Sequence, residues 1–305
     1  MTHELQAEHA VATARFGDRV AEAVERKRSQ LLVGLDPRPD LLPVELRGDA
    51  HLGRKHAAQA FTRFCCGLVD AVAPYVVGVK PQLAFFEALG ADGIRAFEEV
   101  CAYARGAGLL VVADGKRGDI GSTARAYADA YLEGEPPRAD ALTVNPWLGR
   151  DSVEPFLGAV RRGGVGIFVI VRTSNASGDL QDAVLKDGHP MWHHVAALVD
   201  EWGEGTAGEH GLSSVGAVVG ATHPRAVAEA RRLMPRTILL LPGVGAQGGQ
   251  ISDLTRAFQS GPASAVVNAA RSVIYASRET GGDYRNAAGA EAARLKQAIW
   301  TASGW

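Results

Sequence analysis

The chain has 305 residues, 47% apolar and 22% charged, with a formal net charge of −2. That length allows a large buried core, and the near-neutral balance argues against a surface built for a polyanion. Three cysteines, Cys65, Cys66 and Cys101, have no zinc-like spacing, which points to a reduced, cytoplasmic setting. The acidic start, Met1–Glu8, lacks signal-peptide features, and no apolar run approaches the roughly 20 residues of a membrane span.

In chain order, His9–Arg28 reads as a helix ahead of the first strand. Short apolar strands are then expected at Leu31–Asp36, Tyr75–Lys80, Leu109–Asp114, Ala141–Asn145, Gly166–Arg172, Val215–Gly220, Thr237–Leu241 and Ala265–Ala269. Helical stretches such as His56–Ala73, Gly93–Arg105 and Pro224–Leu233 fall between them. Asn175–Leu212 exceeds one ordinary crossover and reads as an insertion plus a helix around His194–Trp202. Eight continuous apolar strands alternating with helices predict an α/β fold. The parallel sheet closes as a (β/α)8 TIM barrel, with 1–305 as one domain.

In that fold the chemistry sits at the carboxyl ends of the strands. The most informative end is Ala113-Asp114-Gly115-Lys116-Arg117-Gly118-Asp119. Strand alternation puts Asp114 and Lys116 on one face, with Asp119 in the turn beyond. Only six of the 32 basic residues are lysines, so Lys80 and Lys116 at strand ends suggest a need for a compact ammonium. A surface ion-pair turn is the simpler reading of one such cluster. Polar ends on the other strands argue against it: Asp36-Pro37, Lys80-Pro81, Asn145-Pro146, Arg172-Thr173-Ser174, Thr222-His223, Pro242-Gly243 and Arg271-Ser272.

Gly243-Val244-Gly245-Ala246-Gln247-Gly248, after the seventh strand, matches Gly-x-Gly-x-x-Gly. It comes late in the chain and lacks the acidic residue about 20 positions on that a dinucleotide site requires. A phosphate cradle of backbone N–H groups fits better, with Arg271 at the end of strand eight as its bidentate partner.

With these residues placed, the chain resembles the orotidine 5′-phosphate decarboxylases, specifically their longer bacterial (type 2) subgroup. The resemblance runs from Gly34-Leu35-Asp36-Pro37 to Ala270-Arg271-Ser272-Val273-Ile274-Tyr275. Its most specific part is Asp-x-Lys-x-x-Asp at Asp114, Lys116 and Asp119. Val79-Lys80-Pro81-Gln82, Thr143-Val144-Asn145-Pro146 and Asp151-Ser152-Val153-Glu154-Pro155-Phe156 carry the subgroup likeness. The resemblance implies conversion of orotidine 5′-phosphate to UMP without metal or other cofactor. It makes Lys116 the cation beside C6 and the proton donor, with Asp114 next to the substrate carboxylate. Lys80 and Asp36 would hold the ribose, Ser174 the pyrimidine, and Gln247 and Arg271 the phosphate, with Pro242 also against substrate. Asp119 and Thr123 would cross from the neighbouring subunit of a homodimer. No nucleic-acid or membrane partner is implied.

Two rivals share parts of this pattern. A magnesium-dependent 3-keto-gulonate-phosphate-type decarboxylase has a metal-binding carboxylate where this chain has Lys80. A non-catalytic nucleotide-binding barrel would be expected to have lost a member of the charged array, and none is missing. His189, His193 and His194 invite a metal reading, but adjacent helical positions point apart. Cys65 and Cys66 read as packing residues, Asp151-Ser152-Val153-Glu154 as a helix cap, and Trp300 and Trp305 as packing near the C-terminus.

Overall fold

The structure, a computed structural model, describes residues 14–134, 136–245 and 248–305. Eight parallel strands close into a barrel in sequence order. They are β1 (Leu31–Leu35), β2 (Gly78–Pro81), β3 (Leu110–Arg117), β4 (Ala141–Val144), β5 (Gly166–Arg172), β6 (Ser213–Val219), β7 (Thr237–Pro242) and β8 (Ala265–Ala269). Closure is made where β8 pairs with β1, Leu31 opposite Val267 and Val33 opposite Ala269. This is the expected (β/α)8 barrel; several strand ends shift by a residue or two, and the largest shifts are at β2 and β3. Tyr75 is not in β2, because its N–H closes the turn after the preceding helix by donating to Val72 O at 2.8 Å. β3 continues past Asp114 to Arg117, with a register shift against β4 between Ala113 and Arg117.

Side chains alternate across each strand, so every second residue enters the barrel. Leu32, Leu110, Val112, Ala141, Phe168, Val218, Ile238, Leu240 and Val266 form an apolar filling. Intervening residues such as Leu31, Val33, Val111, Val169 and Leu241 pack outward against the helices. The helix Phe16–Lys27 precedes β1, as expected, and its Phe16, Val20 and Val24 join the inner filling and seal the N-terminal mouth. The part of the expected helix before residue 14 lies outside the described residues. Phe16 meets Phe168 edge-on at 5.9 Å. Gly166 makes the contact possible, since a Cβ there would lie 2.2 Å from the Phe16 ring. Burying an aromatic side chain of this size stabilises by roughly 1.5–3 kcal/mol, which a substitution at Gly166 would put at risk.

The segment between β5 and β6 contains a short helix, Asp179–Asp182, then a bridge from Val184 to Pro190 and the helix Met191–Trp202. That second helix starts three residues before the expected His194, with Pro190 occupying its N-cap position. The cap expected at Asp151-Ser152-Val153-Glu154 is corrected: Gly149 caps the helix Arg150–Arg162, and Asp151 lies inside its first turn. His193 bonds Glu229 at 3.0 Å and stacks on His189. Cys65 is buried, Trp300 packs partly buried beneath Arg28, and Trp305 is exposed. Among the described residues, no helix is long and apolar enough to cross a membrane.

Candidate active site

Above the apolar filling, a cavity of about 440 Å³ opens at the carboxyl ends of the strands. Its wall includes Asp36 after β1, Lys80 of β2, Asp114 and Lys116 of β3, Thr143 of β4 and Asn268 of β8. The alternation that buries Leu110 and Val112 brings Asp114 inward next. Lys116 is not placed by alternation alone. Its φ is +46°, in the left-handed region that is unfavourable for a lysine, at the register shift near the end of β3. Arg117 then turns outward to Glu87, its guanidinium 5.5 Å from the Tyr127 ring. Strain of this kind gathers at functional sites, where surrounding structure holds it in place.

Asp114 is the hub. Its Oδ2 accepts from Lys80 Nζ and from Gln82 Nε2 at 3.1 Å. Its Oδ1 accepts from Lys116 Nζ at 2.6 Å and Thr143 Oγ1 at 3.0 Å. Thr143 Oγ1 also accepts the Lys116 N–H at 2.9 Å, coupling the strained backbone to the hub. Burial alone would raise the Asp114 pKa, but the Lys80 and Lys116 ammoniums outweigh it and hold the carboxyl well below the usual range. Burial would lower Lys80, but Asp114 and then Asp36 override it and push the ammonium up. Both groups therefore stay charged through neutral pH. The Lys80 side chain is 7% exposed and that of Lys116 is 47% exposed, so Lys116 presents the accessible cation.

Asp36 differs from the hub. Its Oδ1 is buried without a hydrogen-bond partner among the described residues. Burial raises its pKa, only partly opposed by Lys80. Tyr275 steadies its loop, donating to Asp36 O at 3.0 Å and accepting from Arg38 N at 2.9 Å. Asn268 Oδ1 is likewise buried and unpartnered.

Ser174, Pro242 and Arg271 also line the cavity, as expected. Gly243, Gly245 and Gly248 take φ of +105°, +77° and +91°, a tight loop after β7 that other residues would strain. Gln247 lies outside the described residues. Asp119 and Thr123 do not reach the cavity of their own chain; Asp119 Oδ1 accepts the Ile120 N–H at 2.7 Å, and Thr123 is exposed. Neither Asn145, whose Oδ1 accepts the Trp147 N–H, nor Asp151 lines it. Gln82, Thr143, Thr173, Asn175 and Asn268 line it without having been singled out as site residues from sequence. Asn268 left one signal, an amide two residues after Val266 on an otherwise apolar strand.

A family model described as "Orotidine 5′-phosphate decarboxylase / HUMPS family" matches residues 29–283. The chain belongs to this family. Orotidine 5′-phosphate decarboxylase of Rhodopirellula baltica is 48% identical over 267 residues, 86% of this chain and 88% of that protein. The same-named protein of Deinococcus radiodurans is 46% identical over 265 residues, 87% and 90% of the two chains. Among solved structures, a Streptomyces avermitilis chain superposes with a TM-score of 0.80 at 37% identity, covering 96% of this chain and 98% of that one. Leishmania donovani OMP decarboxylase gives 0.73 at 30%, covering 94% and 99%. The matched stretch spans every strand of the barrel, the Asp114–Lys116 strand end included.

Proposed function

We propose that this chain decarboxylates orotidine 5′-phosphate to UMP, with Lys116 as the catalytic cation and acid. The observation that carries the assignment of roles is the Lys80–Asp114–Lys116 array, two cavity-lining lysines on one buried carboxylate, of which Lys116 is the more exposed. Breaking the C6–CO2 bond leaves an electron pair in an sp² orbital that the ring π system does not delocalise. A fixed cation in a water-poor site stabilises that pair as it develops. Transfer of a proton from Lys116 Nζ to C6 then completes UMP, with CO2 as the other product, and a lysine rather than an arginine suits that transfer. Asp114 holds Nζ in place and lies beside the departing carboxylate. The reading places Lys80 and Asp36 at the ribose, Ser174 at the pyrimidine, and Arg271 with Gln247 and the glycine loop at the phosphate. Pro242 completes the wall on that side.

Lys80 at the end of β2 disfavours the magnesium-dependent alternative, since an ammonium there repels a divalent cation. The test is loss of orotidine 5′-phosphate absorbance with purified protein in EDTA. Sustained turnover is expected. Activity that disappears in EDTA and returns with Mg2+ would overturn the metal-free reading.

The proposal includes a cytoplasmic homodimer with shared sites. Support comes from Asp119 and Thr123, which lie outside their own cavity, and from the exposed apolar side chains Ile120, Trp147 and Leu148 on the neighbouring loops. Mixing Lys116→Ala with Asp119→Ala subunits should restore roughly a quarter of wild-type activity. Random exchange makes half the dimers mixed, each with one intact site. No recovery after demonstrated exchange would assign Asp119 to its own chain.

A further inference from the structure

Arg172 ends β5 beside the cavity, yet its side chain is only 5% exposed and does not line it. Its guanidinium turns to the short helix Asp179–Asp182. Nε and Nη2 form a two-pronged pair with Asp182 at 2.8 Å each, and Nη1 donates to Thr173 O at 2.8 Å. Gln181 Oε1 works from the other side. It accepts the Thr173 N–H at 2.9 Å, the Thr173 hydroxyl at 3.0 Å and Arg172 Nη1 at 3.3 Å. Gly178 packs beneath the guanidinium, where a Cβ would lie 2.5 Å from Nη1. From the loop after β6, Thr222 Oγ1 donates to Ser174 O at 3.0 Å.

Two consecutive wall residues, Thr173 and Ser174, are thus anchored from behind by groups outside the cavity, and Asn175 follows them in the same wall. We propose that Gln181 and Asp182 are positioning residues that set the pose of this wall, and with it the site's grip on the base of the nucleotide. The inference rests on the reading of the cavity as a nucleotide site. The phosphate end, at Arg271 and the loop after β7, belongs to other strands and makes none of these contacts. A defect in the anchor should therefore weaken binding at the base and spare binding at the phosphate. Preorganisation of this sort governs rate as well as affinity, because a small displacement of a wall residue spoils the reactive geometry.

Gln181→Leu removes the acceptor, whereas Gln181→Glu keeps an acceptor in place and also suits Arg172. Three quantities should be measured on the full-length protein: orotidine 5′-phosphate turnover, and the affinities for UMP and for ribose 5-phosphate, which lacks the base. Gln181→Leu should lower kcat/KM and UMP affinity roughly 10-fold while leaving ribose 5-phosphate affinity within twofold. Gln181→Glu should recover most of the loss. Hydrogen exchange at the Thr173 amide should speed up in Gln181→Leu and not in Gln181→Glu. Equal losses for UMP and ribose 5-phosphate, or equal impairment of both variants, would reduce Gln181 to general structural support. Unchanged exchange and unchanged UMP affinity would remove it from the site. Wild-type protein that neither turns over orotidine 5′-phosphate nor binds UMP would overturn the functional reading instead, and the exchange comparison would still decide whether the anchor exists.

Discussion

Arg231 and Lys80 are both buried cations in this barrel, and they are satisfied in opposite ways. Arg231, in the helix Pro224–Leu233, is 2% exposed and, among the described residues, has no carboxylate as a hydrogen-bond partner. It donates to five backbone carbonyls: Ala257 at 3.0 Å, Met234 at 2.7 Å, Pro235 at 3.1 Å, Thr237 at 2.9 Å and Ser264 at 2.6 Å. Burial lowers its pKa to about 10, still protonated at neutral pH. Its planar fork ties a helix end to the entrances of β7 and β8. Lys80 instead donates to a carboxylate it shares with a second lysine, and nearby Asp36 and Asn268 each keep a buried oxygen without a partner among the described residues. An arrangement built to hold the fold uses up its hydrogen-bonding capacity. One built to meet a polar ligand leaves some unused, at a cost in stability.

The sharpest way to break this contrast is Lys116→Ala. If the mouth of the barrel serves chemistry, kcat should fall by at least ~10⁴-fold, since one group supplies both electrostatic stabilisation and the proton. Thermal stability should shift by no more than about 2 °C, because the side chain is half exposed. A rate within tenfold of wild type would dismiss Lys116 as the acid. Arg231→Met should do the reverse. Orphaning five carbonyls should cost roughly 3–5 kcal/mol in denaturant unfolding, with kcat per folded molecule unchanged. A kcat loss in fully folded Arg231→Met would mean the two regions are not independent.

Arg271→Ala sharpens the picture at the phosphate end. Removing charge-assisted bonds should lower kcat/KM and UMP affinity by ~10–100-fold, with partial rescue by guanidinium. Some fall in kcat is consistent, because remote binding energy helps hold the reactive state. Unchanged UMP affinity would take Arg271 out of the site.

Asp36→Asn carries the smallest effect and the most telling sign. Because its folded pKa is raised, ionised Asp36 costs stability, and that cost grows as pH rises above the unfolded carboxylate value of about 3.9. The variant should therefore stabilise the ligand-free protein near pH 7 by roughly 1 kcal/mol while weakening substrate binding. Asp114 has the opposite sign. Its lowered pKa contributes stability that is present above about 3.9 and lost as pH falls through the folded value. Lys80, raised, contributes below about 10.4 and loses that contribution as pH rises through its folded value. Melting curves of wild type and Asp36→Asn from pH 4 to 9 would test the sign; destabilisation of the variant at pH 7 would contradict it.

Much of the site was legible because barrel topology makes strand ends converge. Asp36, Lys80, Asp114, Lys116, Ser174, Pro242 and Arg271 each follow or end an apolar run, and all line one cavity. Arg172 shows where this rule stops. It too ends a strand, but Asp182, ten residues on, draws its guanidinium away from the cavity. A strand end marks where the backbone goes, and the side chain follows whichever partner the next loop supplies. Gln82, Thr143 and Asn268 were harder to see because a lone polar residue in an apolar stretch has many possible uses. Only neighbours from other strands, such as Asp114 for Gln82 and Thr143, select one.

By itself the sequence pointed to the closed parallel barrel, since short apolar runs separated by helices bury both faces of a parallel sheet, and eight such units are the number that closes a (β/α)8 barrel. It also determined that an Asp–Lys–Asp strand end would sit at the catalytic face, because the parity of β3 carries inward from Leu110 and Val112 to Asp114. Tertiary structure decided the rest. It decided that Asp114 holds both lysines, that Asp36 has a buried oxygen unpaired among the described residues, and that Lys116 adopts a left-handed backbone to reach the hub. It also decided that the β5 loop is anchored from behind by Gln181 and Asp182. Periodicity is a local property of the chain and can be read one segment at a time. Charge pairing and desolvation depend on which distant segments meet, and only the folded barrel brings those segments together.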